Sequence, residues 1–364
     1  MFNIEMLPAG HGDCLYIEYG DPTAPSRVLI DGGPYYAFDD LAGRIDSLAA
    51  GAAPLELFVV THMDCDHIDG AVKLLGVQAS RQVAREVWFN ARRHLEPAGV
   101  LGAREGEFLN ALVPEEASWL NTRFDGQAVL VSDKDPLLPV QLPGGLELTL
   151  LSPTADKLAR LRPVWDDEVR KAGLEGASRE KVLDKLRGTA HLQPPSDLLG
   201  GEPPDELAKK PFRGDRSAAN GSSIAFLAEY RSGTERKSCL FTGDAHAAVL
   251  ARSISRLLAQ RKEPKLTVDA VKLAHHGSKG NTSPSLLALL GCRKFLISTN
   301  GERFGHPDDE AIARVIVQSG PGVRLFFNYD NEHTAKWKNG DWQEQFDYTA
   351  RYPDPDSKGF TVSL

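Results

Sequence analysis

LELFVVTHMDCDHIDG, residues 55–70, is the stretch on which the fold turns. From Leu57 to Val60 it is apolar without a break, which reads as a strand buried on both faces. The run stops at Thr61, and His62, Asp64, Asp66 and His67 then fall within six residues. Neutral imidazole and ionised carboxylate are the donors that hold zinc or manganese. A loop fixed at the end of a buried strand can aim such side chains into one pocket. A polar surface loop with incidental histidines is the bland alternative, and the density of ligand-type groups after a buried strand weighs against it. Ile68 to Leu75 opens a helix behind the loop.

Two later strand ends carry the same chemistry. In FTGDA, residues 241–245, Gly243 permits a tight backbone and Asp244 sits where the strand KSCLF gives out. Alone, Gly-Asp after a strand is usually a turn, but a carboxylate has two oxygens and can bridge cations about 3.5–4 Å apart. LAHHGS, residues 273–278, ends the strand DAVKLA. On extended chain His275 and His276 point to opposite faces, so one ligates while the other meets substrate or donates a proton. Ligand-rich loops from distant buried strands argue for convergence on one pocket.

The surroundings are strand-rich. FNIEML, CLYIEYG and RVLIDGG read as an antiparallel start, followed by a helix over 36–50. REVWFN, QAVLV and LELTLLSP are further strands, with a helix around 107–120. SSIAFLAEY and KSCLFTGDA form a hairpin, a helix covers 247–258, and RKFLISTN and VRLFFNYD flank a helix over 308–318. Residues 155–216 are charged and then Pro- and Gly-rich, which reads as an insertion or cover outside the core.

Composition is that of an ordinary globular chain: 364 residues, 41% hydrophobic and 25% charged. A formal charge of −8 opposes bulk attraction to nucleic acid or anionic membrane. The start lacks a basic region followed by an apolar stretch, and no run is long enough for a membrane helix, so a cytoplasmic protein without membrane partners is expected. Cys14, Cys65, Cys239 and Cys292 lie far apart and form no disulfide framework.

With these clusters in view, the sequence resembles the metallo-β-lactamase superfamily, whose signature loop is His-x-His-x-Asp-His. His62, Asp66 and His67 match it, and Asp64 replaces the second histidine. Within the superfamily it is most similar to the hydrolase domain of ComEC-type DNA-uptake proteins, which share His-x-Asp-x-Asp-His. Gly12-Asp13 and Leu29–Gly33 resemble their opening hairpin, and Asn220–Ser223 their Asn/Ser stretch. His275–Ser278 and Gly305-His306-Pro307 resemble their C-terminal motifs. The likeness spans residues 1 to about 310 with 155–216 unmatched. The membrane helices of the uptake proteins have no counterpart here, so transport is not carried over.

The resemblance implies an α/β fold: an αββα sandwich of two mixed sheets with helices on the outer faces. Residues 1–364 would form a single domain, with 155–216 covering the site. It implies two divalent ions, Zn2+ or Mn2+, held by His62, Asp64, Asp66, His67, Asp244 and the His275–His276 pair. Between His94 and His246 no histidine ends a strand, so Asn220 or water would complete one position. Three carboxylates harden the site toward manganese. Asp66 and Asp244 would orient a metal-bridging hydroxide, and His276 or His306 would protonate the leaving group. Asn220, Ser278 and Lys279 are candidate substrate contacts, and Asp13 and Asp31 candidate supports. Cys65, between two ligands, is not read as a nucleophile.

The leading functional expectation is a phosphodiesterase or nuclease, with nucleic acid among the candidate substrates. The alternatives are hydrolysis of an ester, thioester or lactam, and a metal-binding regulatory protein that has lost turnover. The physiological substrate and oligomeric state are not legible.

Overall fold

Along the run at 57–60, side chains alternate between two cores, and that alternation sorts the molecule into layers. The computed structural model describes residues 1–48, 55–77, 83–95, 119–171, 202–355 and 357–364. Its strands are β1 Phe2–Met6, β2 Leu15–Asp21, β3 Ala24–Ile30, β4 Leu57–Val59, β5 Val87–Trp88, β6 Val140–Leu142, β7 Leu146–Ser152 and β8 Ala225–Ser232. They continue with β9 Glu235–Phe241, β10 Leu266–Thr267, β11 Ala270–Lys272, β12 Leu290–Gly291, β13 Lys294–Ile297, β14 Val323–Phe327, β15 Tyr348–Arg351 and β16 Phe360–Ser363. One sheet runs β16-β1-β2-β3-β4-β5, the other β15-β14-β13-β11-β9-β8-β7-β6, and β10 pairs with β12. Both large sheets mix parallel and antiparallel pairs.

Leu57 and Val59, with Ile4, Ile17 and Ile30, enter a core shared with Leu148, Phe226 and Leu240 of the second sheet. Phe58 and Val60, with Tyr16 and Leu29, face a second core. There they meet Leu41 and Ile45 of α1 (Phe38–Asp46), Val72 and Leu74 of α2 (Cys65–Val77), and Leu158, Leu161 and Trp165 of α3 (Ala155–Lys171). The short α4 (Pro204–Lys209) and α5 (Ala218–Gly221) follow. Over the second sheet lie α6 (Ala247–Arg261), α7 (Pro284–Ala288) and α8 (Asp309–Ser319). Leu250, Ile254 and Leu257 of α6 recur at the spacing that gives a helix one apolar face. Helices thus lie outside two mixed sheets, the αββα arrangement expected. Among the described residues no helix is long and apolar enough to cross a membrane.

Several local expectations need correction. QAVLV is not a ladder strand; Val131 makes only an isolated bridge to Thr154. Most of the expected helix at 107–120 lies outside the described residues. The stretch 155–216 is not all outside the core, because Leu158, Leu161, Trp165 and Leu207 are buried in it. Amphipathic spacing in α3 outweighed its high charge; residues 172–201 lie outside the description. The helix behind the first ligand loop starts at Cys65, earlier than expected. Asp64, a residue type favoured at helix starts, gives its carbonyl to the Ile68 N–H at 3.0 Å.

Candidate metal centre

Strands β3 and β4 are parallel neighbours, as are β9, β11 and β13, so their C-terminal ends open on one edge of each sheet. Ile224 N–H donates to the Thr61 carbonyl at 2.9 Å and joins the sheets there. Every dense ligand cluster of the sequence follows one of these ends.

Asp31, just past β3, organises the first loop. Its Oδ1 accepts from Thr61 N–H at 2.7 Å, and its Oδ2 from the Thr61 hydroxyl at 2.8 Å and from His67 Nδ1 at 2.7 Å. That last bond fixes the tautomer and leaves the His67 Nε2 lone pair free. Asp13 serves the far side: its Oδ2 accepts from the buried Lys272 ammonium at 2.7 Å, and its Oδ1 lies 3.3 Å from His276 Nδ1. His276 Nδ1 also reaches the Ser298 carbonyl at 3.0 Å. His276 Nε2 therefore faces inward too.

The centre follows from these constraints. His67 Nε2 and His276 Nε2 lie 3.3 Å apart, each ring committed through its Nδ1. Two neutral lone pairs at that distance repel unless a cation or proton lies between them. Asp244 Oδ2 is 3.4 Å from His67 Nε2 and 3.8 Å from both His62 Nε2 and His276 Nε2. Asp66 Oδ2 is 3.4 Å from His276 Nε2, and Asp64 Oδ2 is 3.5 Å from His62 Nε2. His62 Nε2 and Asp244 Oδ1 are buried without a hydrogen-bond partner, a costly state that a bound cation would relieve. Asp66, His67 and His276 form one candidate donor set, and His62, His67 and Asp244 another, the donor atoms of each lying within 4.8 Å of one another. Asp13, Asp31 and His67 form a third, but Asp31 is engaged by Thr61 and His67, and Asp13 Oδ2 by the Lys272 ammonium, which suits both carboxylates to supporting roles.

The electrostatics agree. Burial opposes charge on His67 and His276, yet surrounding carboxylates overcome it. Asp244 and Asp31 raise His67 well above the usual imidazole range, and Asp244 and Asp13 bring His276 to about 9. Without a metal ion, the pocket recruits positive charge as protons. Burial, then Asp66, pushes the Cys65 thiol to about 11, so it is no ready nucleophile.

His275 and His276 are not on extended chain. Their φ values of 50° and 55° put both in the left-handed region, on a turn that ends β11. The rings still part company. His275 Nδ1 meets Asn281 Oδ1 at 3.1 Å, and its Nε2 lies 3.8 Å from Asp244 Oδ2. Asn220 donates to Asp215 at 2.7 Å, and its Oδ1 is buried without a partner beside this set. His306 rests 5.0 Å from the His275 ring and 6.5 Å from that of His276. Burial, then His275 and His276, lowers it to about 3, so it is a neutral imidazole. Ser278 Oγ accepts from Gly280 N–H at 3.2 Å. Lys279 is not gathered into the centre; its exposed ammonium sits 3.2 Å from Glu310.

Sequence reading missed Lys272, Asp215 and Asn281. Lys272 left a trace, a lone charge inside the apolar run AVKLA. Asp215 and Asn281 left none. They become partners only through the fold, where Asn281 Nδ2 donates to Asp215 at 3.1 Å and to the Asp244 carbonyl at 3.0 Å.

Gly12 lies directly over the Asp66 carbonyl, where an added Cβ would collide with main chain. Gly12→Ala should therefore push the Asp13 and Asp66 loops apart and cost about 1–3 kcal/mol, the scale of overpacking. A urea midpoint and metal content equal to wild type would contradict this.

Fold and site together define a layered α/β protein with a His/Asp centre suited to divalent cations. No family model matches the sequence, and no curated protein matches it. Among solved structures it is similar to the metallo-β-lactamase fold protein YhfI from Bacillus subtilis, at 9% identity over 100% of this chain and 99% of that one, with a TM-score of 0.40. It is also similar to the metallo-β-lactamase SMB-1 bound to 2-mercaptoethanesulfonate (12% identity, 85% and 90% covered, TM-score 0.31). Rm3 metallo-β-lactamase is a third (12% identity, 74% and 76% covered, TM-score 0.26).

Proposed function

We propose that the chain is a metallo-β-lactamase-superfamily hydrolase that holds two divalent cations, zinc or manganese, and cleaves phosphodiesters. The observation that carries the reading is the 3.3 Å approach of two imidazole Nε2 atoms beside the half-unsatisfied Asp244 carboxylate. His62, Asp64 and Asp244 would hold one cation, and Asp66, His67, His276 and Asp244 the other. His275 Nε2, 3.8 Å from Asp244 Oδ2, would be a further donor beside them. Such cations supply Lewis acidity, lowering the pKa of a coordinated water toward about 7 and drawing charge from phosphate oxygens.

The chain's own groups do the rest. Asp66 and Asp244 accept hydrogen bonds from the attacking water and orient it. Asp31 locks His67, and the Ser298 carbonyl, with Asp13 beside it, holds His276, so neither ring swings when charge moves. His276 has both nitrogens committed, which leaves His306 to face the substrate. As a neutral imidazole it donates an N–H bond to the departing oxygen and does not serve as a standing acid. Three carboxylates make the donor set hard, which suits manganese and phosphate oxygens. The His-x-Asp-x-Asp-His loop and the ComEC-like motifs favour phosphodiester over acyl chemistry.

Elemental analysis should find about two equivalents of zinc or manganese per chain. Chelation should abolish cleavage of bis(p-nitrophenyl) phosphate, and metal return should restore it. Turnover of esters, thioesters or lactams without any phosphodiester cleavage would assign acyl chemistry. Two tightly bound cations with no turnover on either panel would leave a regulatory metal-binding protein.

A further inference from the structure

The loop between β13 and α8 supplies more than His306. Its base is pinned where Asn300 N–H donates to the Gly10 carbonyl at 2.8 Å and Asn331 Nδ2 donates to the Asn300 carbonyl at 2.9 Å. Its tip carries Arg303 and Phe304. Phe304 is 50% exposed although its ring lies 6.3 Å from His11, 6.3 Å from His275 and 5.9 Å from His306. An aromatic ring half in water beside the His/Asp cluster offers a face on which a planar ring can stack. Arg303 sits with its guanidinium 5.0 Å from the Phe304 ring centroid and Nη1 2.7 Å from Cys65 Sγ, between Asp64 and Asp66 in sequence. An aromatic face and a planar cation thus stand together at the rim of the metal centre.

We infer that Phe304 and Arg303 form a binding wall for a nucleoside phosphate, the base stacking on Phe304 and the guanidinium lying beside the phosphate. The substrate is then a short nucleotidyl phosphodiester, an assignment that rests on the phosphodiesterase reading above. Every nucleobase offers a π face, so stacking recognises the class with little regard to sequence. Arginine pairs with phosphate oxygens through its planar fork. A long polyanion is disfavoured by the formal charge of −8, whereas a substrate of one or two nucleotides needs no basic track.

The test compares wild type, Phe304→Ala and Phe304→Trp, all manganese-loaded. Two measurements are made: turnover of thymidine 5′-(p-nitrophenyl phosphate) against methyl p-nitrophenyl phosphate, and equilibrium binding of thymidine 5′-monophosphate against inorganic phosphate. Wild type should prefer the nucleoside compound in both. Phe304→Ala should cut each preference on the order of ten- to a hundredfold, the range of base–aromatic stacking, and Phe304→Trp should keep it. Diester cleavage with preferences unchanged in Phe304→Ala would overturn the wall alone. Cleavage of neither diester would overturn the phosphodiesterase reading and the substrate assignment with it, even if base-dependent binding of the monophosphate persisted.

Discussion

Asp244→Ala is expected to lower kcat/KM for bis(p-nitrophenyl) phosphate by about a thousandfold or more and to reduce bound metal to about one equivalent or less. Asp244 Oδ2 lies within 3.8 Å of the Nε2 atoms of His62, His67, His275 and His276, a position no other described side chain shares. Removing it would deprive both proposed cations of a ligand and leave the imidazoles to repel one another. Burial would push an isolated carboxyl here upward, but His67 and the His275–His276 pair hold it far below the usual carboxylate range, so it is an anion at every working pH. The fold should survive, because the backbone at this position is fixed by Asp244 N–H donating to Ser223 Oγ at 3.0 Å. An unchanged far-UV spectrum with lost metal and lost turnover is the expected pattern. Full metal content with full activity would remove Asp244 from the centre.

Lys272→Met is the substitution expected to cost the most stability, about 3–5 kcal/mol, because it strands one partner of a buried ion pair. Lys272 and Asp13 are 1% and 2% exposed, and among the described residues no other cation is within ion-pair distance of Asp13 except His276. The loss should depend on pH. Burial alone would raise Asp13, but Lys272 and then His276 outweigh it and hold the carboxyl well below its ordinary range. A carboxyl depressed in the folded state contributes fully above its unfolded pKa of about 4 and loses that contribution as pH falls toward the folded value. Denaturant titrations of the metal-free proteins should therefore show the gap between wild type and variant widest near neutrality and shrinking below about pH 4. A gap constant down to pH 3 would make the loss one of packing. Metal affinity should fall as well, about 10–100-fold, since Asp13 Oδ1, 3.3 Å from His276 Nδ1, supports a ring that the Ser298 carbonyl also holds.

Most of the candidate centre was legible, because ligand-type residues are concentrated at strand ends. His62, Asp64, Asp66 and His67 after a buried apolar run, Asp244 after a second and the histidine pair after a third could be read without coordinates. What brings them together is parallel pairing among β9, β11 and β13 and of β3 with β4, which leaves no local signature. The supports were harder to see. Asp13 and Lys272 are 259 positions apart, and each alone reads as an ordinary charge. Local geometry misled where a turn replaced a strand: two consecutive left-handed residues at His275 and His276 are rare enough that extended chain was the natural expectation. Charge density misled at α3, whose buried Leu158, Leu161 and Trp165 were outvoted by the basic and acidic residues between them.

The candidate ligand set draws His62, Asp66 and His67 from the loop and first helical turn after β4 of one sheet, and Asp244, His275 and His276 from the ends of β9 and β11 in the other. Cations seated among them would rivet the two halves of the sandwich together. Their occupancy would then add to resistance against global unfolding by mass action, about 2.7 kcal/mol at a free concentration one hundred times the dissociation constant. Starvation for metal would thus loosen the whole molecule along the seam between its sheets, and not only silence its chemistry.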